Sequence, residues 1–266
     1  MSGGAAASRV SVGGRSESGP VPLTLASEWA GMSRTAVIAG VGPDLGASLA
    51  RTFAAEGCQV ALLARSAEFI EDLAADLPDP GEGLAVQTDI ADPEQVAAAF
   101  ETVRDEFGPV DVLVNHASAG SWKGLMDASL EEFERAWAVN GRGVFCCSRE
   151  AVGDMLDGDG GTVIFTGATS AVRGRGGAIG FSAAKFAARG MAEDMARELG
   201  PEGIHVAHVV VDGQILPADE AARPMDRDAE TYLDPDEIAE TYWHLVEQDR
   251  STWTLELDLR PHVEEF

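Results

Sequence analysis

Thr35-Ala36-Val37-Ile38-Ala39-Gly40-Val41-Gly42-Pro43-Asp44-Leu45-Gly46 reads as a short apolar run, a glycine-rich turn and the opening of a helix. Glycine suits a backbone that must take positive φ or pass close to a ligand, and a helix N-terminus beyond such a turn favours an anion. A glycine turn alone is weak evidence, so the rest of the chain has to decide. Outward from it the same alternation repeats. Apolar runs follow at Gln59–Ala64, Leu84–Thr88, Val110–Asn115, Thr162–Thr166, His205–Val211 and Thr252–Leu257. Helical spacing is found at Leu45–Glu56, Ser66–Leu77, Pro93–Phe107, Ser129–Leu156, Ile179–Leu199 and Asp234–Glu247. Asp92 before Pro93 is an N-cap with proline at the first helical position. Short apolar strands alternating with helices predict βαβ units and a parallel sheet covered on both faces. The predicted fold is α/β: one doubly wound domain over residues 34–266 with a mostly parallel seven-stranded sheet. Residues 1–33 are rich in Gly, Ser and Ala, show no apolar period, and predict a disordered N-terminal extension rather than a signal peptide.

The formal charge is −26 over 266 residues, with 45% hydrophobic side chains. A chain so acidic repels nucleic acid and anionic membrane surfaces, which excludes both as partners. No run of 18 apolar residues suggests a transmembrane helix. Three cysteines, Cys58, Cys146 and Cys147, are too few for a disulfide framework and fit a reducing, cytoplasmic location. No metal-ligating pattern stands out, so no metal is expected. Lys123 and Lys185 are the only lysines among 19 basic residues. Acid enrichment with scarce lysine is what molar salt selects, because screening there relieves self-repulsion. A GC-rich genome also explains arginine over lysine, but not the acidity. A halophilic origin is therefore expected. Residues 219–266 hold 15 acids and four arginines, a solvated acidic surface.

Further features fall in a fixed order. Asp89 follows the third strand, Asn115-His116-Ala117-Ser118 the fourth, and Asp212-Gly213 the sixth. Asn140 lies within a long helical stretch, and Phe181-Ser182-Ala183-Ala184-Lys185 opens another. In this order the chain resembles the short-chain dehydrogenase/reductase family, whose members have a Rossmann-type domain and use NAD or NADP. Gly40 and Gly46 lie on that family's T-G-x-x-x-G-x-G turn, Asn115–Ser118 on its N-N-A-G, and Phe181–Lys185 on its Y-x-x-x-K. The resemblance implies that Gly40, Gly42, Asp44, Leu45 and Gly46 hold the cofactor's phosphates. Arg65, Asp89 and Ile90 would meet its adenosine half, and Asn115, Ala117, Lys185 and Gly213 the remainder. Arg65 ends the second strand, where NAD-preferring members carry an acid for the ribose 2′-hydroxyl, so NADP is the expected cofactor and NAD the alternative.

The departures matter as much. Asp44 replaces the middle glycine, as a helix N-cap or as a carboxylate repelling a pyrophosphate. Phe181 stands at the catalytic Tyr and Ala168 at the catalytic Ser, leaving Asn140 and Lys185 of the family's tetrad. A carbonyl reductase needs a proton donor, and that help is typically worth about 10²–10⁴-fold. Substitutes are His116, with a pKa near neutrality, Thr169, Ser170, and Tyr232 on a lid segment. Lys123, Arg173 and Arg175 map to the rim and suggest an anionic small-molecule substrate, against the plainer reading of local salt bridges. The resemblance also implies a homodimer or homotetramer through the two long helices. The expected function is an NAD(P)(H)-dependent oxidoreductase with an atypical site, reducing a conjugated enoyl or carbonyl group. The alternative is a catalytically silent nucleotide-binding pseudoenzyme acting as partner or sensor.

Overall fold

In a computed structural model of the chain, side-chain alternation along each strand sorts the core into two layers. The structure describes residues 33–219, 221 and 228–264; the extension expected over residues 1–33 lies outside them except for Ser33. Seven strands form one sheet: β1 (Thr35–Ala39), β2 (Gln59–Ala64), β3 (Glu82–Gln87), β4 (Val112–Asn115), β5 (Gly161–Thr166), β6 (Ile204–Val211) and β9 (Glu256–Leu259). Their order is β3-β2-β1-β4-β5-β6-β9, and all six pairings are parallel. Two-residue strands β7 (Gln214–Ile215) and β8 (Tyr232–Leu233) pair separately.

Ala36, Ile38, Val60 and Leu62 turn to one face and meet α1 (Leu45–Ala55), α2 (Ala67–Ala75) and α8 (Pro235–Val246). Val37, Ala39, Ala61 and Leu63 turn to the other and meet α3 (Pro93–Phe107), α5 (Val144–Asp157) and α7 (Ile179–Leu199). Both faces are therefore dry, which explains why the strands read as unbroken apolar runs. The strand order reverses direction between β1 and β4. That switch point leaves a crevice at the carboxyl ends of the strands, where ligands bind in such folds.

Two expectations need correction. The stretch 129–156 is not one helix. It divides into α4 (Leu130–Trp137), a π-helical turn (Ala138–Gly143) and α5. A Cβ on Gly143 would stand 2.5 Å from the Ile90 carbonyl, so the turn is pressed against the loop after β3. The last strand also starts later than its apolar run, because Asp249 accepts from the Ser251 amide and holds Arg250–Thr252 in a 3₁₀ turn.

Candidate active site

A cleft of about 1000 Å³ opens at the switch point. Gly40, Gly42, Arg65, Asp89, Ile90 and Ala117 line it, together with His116. Gly40 has φ +103, and a Cβ there would lie 2.2 Å from the Ala117 Cα. The β1 turn and the loop after β4 thus pass backbone against backbone, which only glycine allows. Val41, Thr88, Arg135 and Val139 also line the cleft and were missed in the sequence. Arg135 and Val139 lie outside the motifs, and nothing in their spacing marks them.

Asp44, Leu45, Gly46, Asn115, Lys185 and Gly213 are not on the cleft wall but support it. Gly46 packs under Val41, where a Cβ would come within 3.0 Å of the Val41 Cα. Asn115 donates to the Ser148 hydroxyl on α5 at 3.0 Å and pins the end of β4. Gly213 lets Pro261 approach, at 2.9 Å from a would-be Cβ. Asp44 corrects its expectation as a helix cap. It occupies the N-cap position, yet its side chain makes no capping bond. Its Oδ1 instead accepts from the Ala218 amide at 2.8 Å, tying the segment after β7 to the glycine turn.

Around the expected catalytic positions, Lys185 is buried on α7 and donates to the Thr166 carbonyl at 2.8 Å. Burial lowers its pKa to about 8. Its ammonium lies 5.7 Å from the centre of the Phe181 ring, and Trp122 packs against the same ring at 5.1 Å between centroids. Asn140 sits in the π-helical turn and donates to both the Ala136 and Ala119 carbonyls at 2.9 Å. It clamps the loop after β4 to the helix, as π-turns at functional sites often do. Ala168 caps α6 (Thr169–Val172) and brings no hydroxyl.

The proposed stand-ins fare differently. His116 is half-buried and its Nδ1 lies 3.3 Å from the Thr166 hydroxyl. Its expected near-neutral pKa is corrected: burial, with the Lys185 cation beside it, lowers it to about 4. The ring is neutral at pH 7 and is not a general acid of the imidazolium kind. Thr169 is committed elsewhere, since its hydroxyl donates to Asp212 Oδ1 at 2.5 Å. Ser170 is buried on α6, and Tyr232 is buried in β8 rather than free on a lid.

The cationic rim is corrected as well. Lys123 pairs with Glu132 at 2.7 Å, and Arg173 pairs with the buried Asp212 at 3.0 Å. All three are exposed, and among the described residues Arg175 alone of them has no ion pair. Among the described residues there is no metal-ligating cluster, and no helix is long and apolar enough to cross a membrane. Cys58 and Cys147 are buried with thiols pushed up to about 12, which makes them inert packing groups.

The family model for short chain dehydrogenases matches residues 34–216. Meso-2,3-butanediol dehydrogenase of Serratia marcescens is 31% identical over 177 residues, covering 66% of this chain and 70% of that protein. The crystal structure of an alcohol dehydrogenase from Thermococcus sibiricus, complexed with 5-hydroxy-NADP, is similar with a TM-score of 0.79 at 28% identity. It covers 88% of this chain and 98% of its own. A 3-ketoacyl-(acyl-carrier-protein) reductase from Brucella melitensis, complexed with NADH, has a TM-score of 0.76 at 28% identity and covers 87% and 98%. With the sheet order, the glycine turn at its switch point and a match over most of the folded region, this chain belongs to the short-chain dehydrogenase family.

Proposed function

We propose that the protein is an NADP(H)-preferring oxidoreductase acting on a carbonyl or conjugated enoyl group of a small molecule, through a site without the family's Tyr and Ser. The observation that carries this reading is the cleft: an open glycine turn laid against Ala117, with Arg65 at one end. The residues fit a dinucleotide. Gly40 and Gly42 offer backbone to phosphates, and Asp89 and Ile90 lie where β3 ends. Arg65 is exposed on the cleft and has no side-chain partner among the described residues. A guanidinium left unpaired in a chain of charge −26 suits the 2′-phosphate of NADP. A bound nicotinamide would give or take a hydride; the protein's own groups bind, orient and manage protons.

Lys185, buried and bonded to Thr166, supplies positive charge near the site without a tyrosine to relay it. This favours chemistry in which charge develops as an enolate or alkoxide near fixed dipoles. For the substrate we favour an apolar body over an anion. Trp122, Leu125 and Met126 are exposed on the loop after β4, while Lys123 and Arg173 are paired. Changing Lys123 and Arg173 together should leave the salt dependence of substrate affinity unaltered. Exposed Leu130, Phe133 and Phe145 on α4–α5, with Phe186 on α7, are offered as the contact with a second copy, which a mass measurement in solution tests.

The test of function is fluorescence titration with NADPH and NADH, in dilute buffer and in molar KCl, which the acidity recommends. Tight NADPH-selective binding is expected. No binding at either salt refutes the oxidoreductase reading. The absence of a hydroxyl at both Phe181 and Ala168 favours a second reading, a silent nucleotide-binding protein. If Phe181→Tyr with Ala168→Ser creates carbonyl reductase activity where the native protein has none, the silent reading gains. If the native protein turns over and the change harms it, the site is specialised.

A further inference from the structure

Tyr242 is fully buried on α8, and its hydroxyl reaches the Thr166 hydroxyl at 3.0 Å. Thr166 Oγ1 also meets His116 Nδ1. Along these contacts one arrangement of protons strands no buried donor. Tyr242 has no other acceptor among the described residues, so its proton must point at Thr166 Oγ1; otherwise a buried donor is stranded. Thr166 has one proton, and His116 Nδ1 is what remains to take it. Nδ1 is therefore an acceptor, and in a neutral ring the proton then sits on Nε2. Nε2 has no partner among the described residues, yet its ring lines the cleft.

The position of that N–H is set by the sheet. Arg65, Ser66 and Asp89 come from the ends of β2 and β3, on one side of the glycine turn that follows β1. His116 comes from β4, on the other side, and shares Thr166 with Lys185. A dinucleotide with adenosine at β2 and β3 and phosphates at the turn must lay its nicotinamide half over β4 and β5.

We propose that His116 is a tautomer-locked hydrogen-bond donor whose Nε2–H binds an oxygen of the nucleotide's nicotinamide half. This rests on the nucleotide-binding reading above. A neutral, pre-oriented imidazole N–H has the same use elsewhere in enzymes, where it polarises an oxygen without titrating. Locking matters here because a free imidazole would present either nitrogen.

The test is NMR of the ¹⁵N-histidine-labelled full chain, free, with NADP⁺, and with 2′,5′-ADP, which lacks the nicotinamide half. Fluorescence titration of both ligands runs alongside. In the free protein, His116 should show the Nε2–H tautomer. NADP⁺ should shift Nε2 while 2′,5′-ADP leaves it in place. His116→Phe, which keeps a ring without the N–H, should weaken NADP⁺ about fivefold, the worth of one neutral hydrogen bond, and spare 2′,5′-ADP. His116→Asn, which restores an N–H and guards against misfolding of the first variant, should recover part of that loss. An Nδ1–H tautomer, a ring unmoved by bound NADP⁺, or an equal response to 2′,5′-ADP overturns the proposal while nucleotide binding stands. If fluorescence finds no NADP⁺ binding, the broader reading falls with it.

Discussion

Acidification should cost this protein a stability term that one residue accounts for. The perturbation is a drop from pH 7 to pH 4.5, with and without His116→Asn. The unfolded imidazole titrates at 6.5, and the folded one is held at about 4 by burial and by Lys185. A folded pKa below the unfolded one means that the unfolded chain binds more protons between these values, so stability falls as pH falls through that window. At pH 4.5 the unfolded ring is about 99% protonated and the folded ring about a quarter. The difference in proton binding integrates to about 2.5 kcal/mol, nearly all of it lost between pH 6.5 and 4.5. The assay is urea unfolding at both pH values in constant molar KCl, which holds carboxylate repulsion roughly fixed. His205 and His208, whose pKa values burial also lowers, remain in both proteins and cancel. The gap between native and variant stability should therefore move against the native protein by about 2.5 kcal/mol on acidification. A gap that stays constant with pH refutes the reasoning, because the ring would then titrate alike folded and unfolded.

Three other outcomes follow from the same structure. Arg65→Ser should weaken NADPH about tenfold and leave NADH unchanged, since an exposed charge-assisted contact is worth little more; titration of both nucleotides checks it. Gly40→Ala should cost at least about 2 kcal/mol in thermal or urea unfolding and abolish nucleotide binding, because φ +103 and the Ala117 backbone both oppose a Cβ. Asp212→Ala should cost about 2–3 kcal/mol in urea unfolding, because the buried carboxylate accepts from Thr169 and pairs with Arg173.

Much of this fold was legible because its signals are local. Buried parallel strands appear as apolar runs, and Pro93, Gly200 and Pro201 punctuate helices wherever they occur. β1, β2, α3 and α7 were placed to the residue. The π-helical turn was not legible: Gly141 and Gly143 marked a weakness, but the pressure on Gly143 comes from Ile90, over 50 residues away. Site positions tied to backbone geometry were equally visible. Gly40 needs its φ and Ala117 its closeness whatever the side chains do.

What the sequence hid was partnership. Lys123, Arg173 and Arg175 looked alike as rim cations until Glu132 and Asp212 took two of them. His116 looked titratable until its neighbours emptied that role and fixed its tautomer. The two aspartates that break the family pattern show the same logic. Asp44, at a glycine position, holds the Ala218 amide beyond β7. Asp212, which stands where the family resemblance puts the proline of a Pro-Gly after the sixth strand, holds Thr169 and Arg173 beside β5. Each departure read alone is a lost phosphate contact or a lost turn. Taken together, both carboxylates fasten the segments that frame the cleft, so the substitutions change how the site is held as well as which hydroxyls it lacks. Catalytic hydroxyls restored at Phe181 and Ala168 would therefore enter a frame built differently from the one in which the family uses them.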